Sequence, residues 1–230
     1  YETEKYIAER IKEGLQIHTK WDCDCSKFQE LDGFKLTENQ CKTSQYMCEN
    51  NIVLLVGYGG SGKSSSTQAF VNMLNAYNKR HLLLAPTGRA AKVLSGFTNE
   101  NAMTIHRGLM YMPPADWGFN EENKLPYDVV IVDEFSMVDI FLFRKLLEAI
   151  DFEKTKLLLI GDDAQIPSVG AGNVLYDLLK CEDIPTITLD KVFRYGKGGL
   201  STVATDTRTG TEYLDKTKTG MQVFGEDQSY

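Results

Sequence analysis

Gly57, Gly59, Gly60 and Gly62, interleaved with Tyr58 and Ser61 and followed by Lys63, Ser64 and Ser65, are the residues of this sequence best suited to chemistry. The stretch fits G-x-x-x-x-G-K-[ST], where glycines let successive backbone N–H groups curl around a phosphate without interference from Cβ atoms. A helix starting at Lys63 adds the partial positive charge of its N-terminus. Lys63 is then expected to reach the β- and γ-phosphates of a nucleotide and Ser64 to hold Mg²⁺ through its hydroxyl, so the stretch reads as a P-loop. Further along, Val130-Ile131-Val132 ends in Asp133-Glu134. Asp133 suits Mg²⁺, usually through water, and Glu134 suits acceptance of a proton from the attacking water, provided this strand neighbours the P-loop strand. Leu158-Leu159-Ile160-Gly161-Asp162-Asp163-Ala164-Gln165 repeats the form of an apolar run with a polar tip. The Gln165 amide could sense the γ-phosphate or position water, and composition alone fits a plain polar turn equally well. Arg194, after Val192-Phe193, could place its guanidinium on the γ-phosphate, although any single Arg also fits a surface salt bridge.

These residues need a scaffold. Ile52-Val53-Leu54-Leu55-Val56 reads as a fully buried parallel strand and residues 63–77 as a helix with Phe70, Val71, Met73 and Leu74 on its apolar positions. Strand and helix then alternate. Strands are expected at 81–85, 129–132, 156–160 and 186–189, and helices at 88–95, 102–109, 137–149 and 173–179. Such alternation means an α/β fold, a parallel sheet with helices on both faces, whose strand C-termini line a ligand-binding crevice. Residues 110–127, with Pro113-Pro114, Trp117, Gly118 and Phe119, break the rhythm and suit an inserted β-hairpin. Upstream, residues 1–16 pattern as a helix and 20–33 as a polar connector. Thr37 with Gln40 three residues on forms a capping box that opens a helix over 38–49.

The 42% hydrophobic and 25% charged content is that of an ordinary soluble globular protein, with no apolar run long enough to span a membrane and no signal peptide. A start at Tyr1 rather than Met suggests a fragment of a longer polypeptide. The formal net charge of −7 argues against a protein built to coat nucleic acid, yet leaves room for a local basic groove. Five cysteines at irregular spacing, with Cys23-Asp24-Cys25 lacking a partner pair, read as reduced thiols of a cytoplasmic protein rather than a metal site.

With these residues in order, the chain resembles the first motor domain of RecD-like, superfamily 1B DNA helicases, with Dda-type relatives. Leu36-Thr37-Glu38-Asn39-Gln40 resembles the Q motif, whose Gln, here Gln40, reads the adenine edge. Ala85-Pro86-Thr87-Gly88-Arg89-Ala90-Ala91-Lys92 resembles motif Ia and Thr104-Ile105-His106-Arg107 the following Ib-type motif. Asp133-Glu134-Phe135-Ser136-Met137 is similar to motif II, Gly161 to Gly170 to motif III and Val192-Phe193-Arg194 to motif IV.

The resemblance implies a P-loop NTPase with a RecA-like parallel sheet and a small hairpin insertion. It places an N-terminal helix and connector at 1–35, motor domain 1A at 36–195 with a 1B-like pin near 110–127, and a segment at 196–230 leading to a second motor domain. It implies an ATP- and Mg²⁺-dependent 5′-to-3′ helicase in which Lys63, Glu134, Gln165 and Arg194 act on the γ-phosphate. It also implies that Pro86, Thr87, Arg89, Thr104 and His106 contact the backbone of single-stranded DNA. The implied partners are single-stranded and fork DNA, a second RecA-like domain, and nuclease, replication or repair proteins. Read by themselves, Arg89 also fits a surface charge and His106 a structural histidine, while Trp117 or Phe119 fits either the pin's tip or a small hydrophobic core. Two departures stand out: Tyr58, Gly59 and Ser61 replace residues more usual in the family's P-loop, and Tyr195 replaces a frequent Gln. A non-motor ATP-dependent switch acting on a protein partner is the alternative. A GTPase is disfavoured by Gln40 and the absence of N-K-x-D.

Overall fold

The computed structural model describes residues 1–162, 164–165 and 168–190. Helix α1 (Glu2–Gln16) leads through a short 3-10 turn (Cys25–Phe28) to a small hairpin, β1 (Glu30–Leu31) and β2 (Phe34–Lys35). Then come α2 (Glu38–Glu49), β3 (Ile52–Gly57), α3 (Lys63–Ala76), β4 (His81–Ala85), α4 (Gly88–Thr98), β5 (Ala102–Thr104) and α5 (Ile105–Gly108). A second hairpin, β6 (Tyr111–Met112) with β7 (Asp116–Trp117), precedes β8 (Val129–Val132), α6 (Ile140–Glu148), β9 (Lys156–Gly161), α7 (Val174–Leu179) and β10 (Thr186–Leu189).

Six strands form one parallel sheet in the order β10-β3-β9-β8-β4-β5. Strand side chains alternate between faces, and the two sides of the sheet divide them cleanly. Leu54, Val56, Leu82, Leu84, Val130, Val132, Leu157 and Leu159 pack with α1, α6 and α7. Val53, Leu55, Leu83, Ile131, Leu158, Ile160 and Ile187 pack with α3, Leu94 of α4, and Met47 and Cys48 of α2. With both faces covered, the central strands β3, β8 and β9 are buried at every position, as the uninterrupted apolar runs predict.

Four expectations need correction. Strand β9 stands between β3 and β8, so the strand ending in Asp133 is next but one to the P-loop strand. Residues 102–109 are a three-residue strand and one helical turn, because the Thr104 hydroxyl caps Arg107 N–H at 3.2 Å and starts the helix only at Ile105. In the 137–149 stretch, Asp139 caps Phe141 and Leu142 N–H at 2.9 and 2.8 Å, so α6 begins at Ile140 and a separate 3-10 turn (Phe135–Met137) precedes it. The connector is built into the core: Trp21 is buried, its N–H bonds Cys48 O at 2.8 Å, and Lys79 and Lys156 lie over its ring.

Candidate nucleotide site and strand-end loops

The P-loop follows β3 as the turn into α3, and its glycines are required in different ways. A Cβ on Gly57 would stand 2.7 Å from Leu189 O of β10 and 2.5 Å from Ser61 Oγ. Gly60 and Gly62 have φ of 82° and 95°, the left-handed region open to glycine at little cost. Gly59 has open space where its Cβ would be. Lys63 Nζ donates to Gly57 O and to Tyr58 O, the latter at 3.1 Å, so the ammonium lies across the mouth of the loop. Ser61 Oγ is buried without a hydrogen-bond partner among the described residues. Ser64 is exposed on the first turn of α3, with Ser65 half-buried beside it. A cradle a Cβ would fill, an orphaned hydroxyl, a lysine across its mouth and a helix N-terminus fit the phosphates of a nucleotide.

Gln40 reaches this loop from α2. Its Oε1 accepts from Thr37 N–H at 2.8 Å, completing the capping box, and its Nε2 donates to Gly62 O at 3.3 Å. The Ser66 hydroxyl donates to Gln40 O at 3.0 Å, so α2 and α3 are tied at the glycine that starts α3. The Gln40 amide therefore serves the cap and the P-loop, and it is only 7% exposed, rather than being presented to a base.

Asp133 continues directly from β8, its N–H bonded to Leu84 O at 2.9 Å. Burial pushes its carboxyl up to about 6, aided by the neighbouring Glu134 charge and opposed by the Glu134 N–H bond and the Lys63 charge. A half-buried, desolvated carboxylate within the field of the P-loop lysine suits a divalent cation, which supplies a compensating positive charge. Glu134 has φ of 51°, left-handed backbone that turns the chain sharply into the 3-10 turn after β8. Asp162, at the end of β9, is 1% exposed and accepts from Ala164 N–H at 3.1 Å and Gln165 Nε2 at 3.4 Å. Gln165 itself is exposed beyond it.

The loop after β9 is also fastened to the turn after β8, which local pattern did not reveal. Ser168 N–H donates to Ser136 O at 3.1 Å, Ile140 N–H to Ala171 O at 3.1 Å, and Gly170 sits so close to Asp139 that a Cβ would stand 2.5 Å from its Oδ2. The cap signal at Asp139 was readable; its contact with Gly170 needed the fold.

The remaining candidates occupy the other half of the same edge. Pro86 and Thr87 follow β4, and Thr87 Oγ1 caps α4 through Ala90 N–H at 3.2 Å, leaving Arg89 exposed on the first turn. Thr104 ends β5 and His106 follows on the helical turn α5. The His106 ring stacks on Trp117, centroids 5.6 Å apart, and meets Tyr111 edge-on at 5.6 Å. Trp117 and Phe119 pack against the core instead of marking the hairpin's tip, which is formed by residues 113–115. Arg194 lies outside the described residues.

A family model described as "AAA domain" matches residues 35–223. The chain belongs to the AAA domain family. Its sequence is similar to RecD-type helicases, and its fold is the RecA-like P-loop fold of Pif1 helicase structures. It is 37% identical over 159 residues to the ATP-dependent RecD2 DNA helicase of Deinococcus radiodurans, covering 69% of this chain and 22% of that protein. It is 32% identical over 168 residues to the RecBCD enzyme subunit RecD of Mycolicibacterium smegmatis, covering 62% and 30%. Among solved structures, Pif1 helicase from Candida albicans superposes with a TM-score of 0.58 at 24% identity, over 76% of this chain and 44% of that one. Pif1 helicase from Bacteroides in complex with ADP-AlF3 and ssDNA gives 0.53 at 22%, over 76% and 47%. The AAA domain thus spans less than a third of the length of these two curated relatives. No helix among the described residues is long and apolar enough to cross a membrane.

Proposed function

We propose that this AAA domain is the first motor domain of an ATP-dependent DNA helicase or translocase of 5′-to-3′ polarity. The observation that carries the reading is the convergence of the described candidate loops on one edge of one parallel sheet, the C-terminal ends of β3, β9, β8, β4 and β5. On this reading the P-loop, Lys63, Ser64, Ser65 and Asp133 hold MgATP, and Glu134 takes a proton from the attacking water. Magnesium supplies charge neutralisation at the β- and γ-phosphates. Gln165 and Arg194 respond to the γ-phosphate, and Gln40 reads adenine if its Nε2 exchanges Gly62 O for the base. Pro86, Thr87, Arg89, Thr104 and His106, two and three strands away from β9, contact single-stranded DNA through phosphates, which positions the strand without reading its sequence.

The domain boundaries that follow are 1–35, 36–195 with the hairpin as a 1B-like pin, and 196–230. A second RecA-like domain would close over the nucleotide and turn hydrolysis into stepping. A cytoplasmic setting and partnership with forks, nucleases or repair proteins belong to the same proposal. The test is ATP hydrolysis by the full-length polypeptide with and without single-stranded DNA. Strong stimulation, abolished by Glu134→Gln, is expected. A nucleotide-gated protein contact without DNA stimulation would replace the motor with a switch, and GTP outcompeting ATP would displace the adenine reading.

A further inference from the structure

Three of the five thiols, Cys23, Cys25 and Cys48, come together at the C-terminal end of α2. Cys25, on the 3-10 turn before β1, places its Sγ 3.6 Å from Cys48 Sγ on the last turns of α2. The same sulfur lies 3.7 Å from Met73 Sδ of α3 and 3.6 Å from Cys23 O. Cys48 is buried, whereas Cys25 is half-buried and reachable by a small solute. Around them stand Lys79 and Lys156, both over the Trp21 ring at 4.9 and 4.8 Å, and Lys156 Nζ donates to Cys48 O at 3.3 Å. Among the described residues no group of three or more His, Cys, Asp or Glu is placed to hold a metal ion.

We propose that Cys25 and Cys48 form a peroxide-responsive dithiol site, Cys25 the attacking sulfur and Cys48 the resolving one. The hydrogen bond from Cys48 favours the Cys25 thiolate and holds its titration below that of an ordinary thiol, while the same bond and burial raise Cys48. The Cys25 thiolate attacks one oxygen of hydrogen peroxide, the O–O bond breaks, and hydroxide leaves with the electron pair, giving Cys25–SOH. Cys48 sulfur then attacks Cys25 sulfur, the S–O bond breaks, and the departing hydroxide takes the Cys48 proton as water. The net change is two thiols and one peroxide to one disulfide and two waters, with sulfur oxidised and peroxide oxygen reduced. The sulfurs must close by roughly 1.5 Å to bond. Since the four-residue turn carrying Cys25 has no buried residue, it can supply that movement while α2 stays fixed.

The test treats the full chain with limiting hydrogen peroxide, followed by differential alkylation and peptide mass mapping. The expected result is loss of two thiols per chain, one Cys25–Cys48 linked peptide pair, and recovery with dithiothreitol. Cys25 should react at least about tenfold faster than the equally accessible Cys41 or Cys181, as its favoured thiolate requires. Cys25→Ser should abolish the link, and Cys48→Ala should leave a Cys25 sulfenic acid trapped by dimedone. Should Cys48→Ala fail to fold, the wild-type peptide map and Cys25→Ser still decide. A Cys23–Cys48 link, disulfides only between chains, or oxidation of Cys41 or Cys181 first would overturn the assignment.

Discussion

Replacing Gly57 by Ala tests whether the P-loop is shaped by its seat against β10. The new Cβ would lie 2.7 Å from Leu189 O and 2.9 Å from Leu189 Cβ, and Leu189 is also the registered partner of Gly57 in the sheet. A backbone carbonyl cannot rotate away as a flexible side-chain end can, so either β10 moves off β3 or the loop deforms. Overpacking of this kind costs about 1–3 kcal/mol. The alanine recovers about 0.4–1 kcal/mol through its narrower unfolded ensemble. The net loss is about 1–2 kcal/mol, which at a urea slope near 3 kcal/mol/M lowers the denaturation midpoint by roughly 0.5 M. Deformation of the loop should also weaken nucleotide binding by about tenfold or more, equivalent to about 1.4 kcal/mol. The control is Gly59→Ala, whose Cβ meets nothing within 4 Å. It should stay within about 0.5 kcal/mol of wild type. Urea melts monitored by circular dichroism and a fluorescent-nucleotide titration measure both quantities. Equal stability and affinity for the two variants would refute the argument.

Three further perturbations probe separate parts of the molecule. Glu134→Gln should lower ATP turnover by about 10²-fold or more while nucleotide affinity stays near wild type; a matching fall in affinity would show a binding role instead. Asp139→Ala removes the cap that takes Phe141 and Leu142 N–H. It should cost about 0.5–2 kcal/mol in a denaturant melt, with Asp139→Asn recovering most of it. Lys156 is 1% exposed, and burial pushes its ammonium down to about 8, so folding releases a proton between that value and the ordinary lysine range. The unfolded chain binds more protons there, and this group's contribution to stability rises with pH. Wild type should therefore gain on Lys156→Met as pH climbs from 8 to 10 in paired melts; a constant difference would show that Lys156 does not titrate in the folded chain.

What the sequence disclosed and what it hid have physical reasons. The buried runs at Ile52–Gly57, Val129–Val132 and Lys156–Gly161 announced strands because both faces of the sheet are covered. The Thr37 and Gln40 capping box announced α2 because its signal is local. Strand order is not local. Val129–Val132 and Lys156–Gly161 are equally apolar, and nothing in either run says which lies beside the P-loop strand. The polar connector concealed a core residue for a similar reason: Trp21 is buried by Lys79 and Lys156, cations far along the chain whose stems and charges its ring accommodates. Candidate residues at strand ends were legible from type and spacing, whereas the roles of Gln40 in fastening the P-loop and of Ser136 in fastening the loop after β9 depend on contacts across the fold.

The bond from Ser168 N–H to Ser136 O carries a thermodynamic obligation. It joins the loop after β9 to the turn that begins at Glu134, so a ligand that displaces one must either carry the other with it or break this bond. If a ligand held at that loop changes nucleotide affinity by some factor, the nucleotide must change that ligand's affinity by the same factor, because binding free energies around a closed cycle sum to zero. On the proposed reading, any coupling that this bond carries from the nucleotide to a second ligand runs back from that ligand to the nucleotide with equal strength.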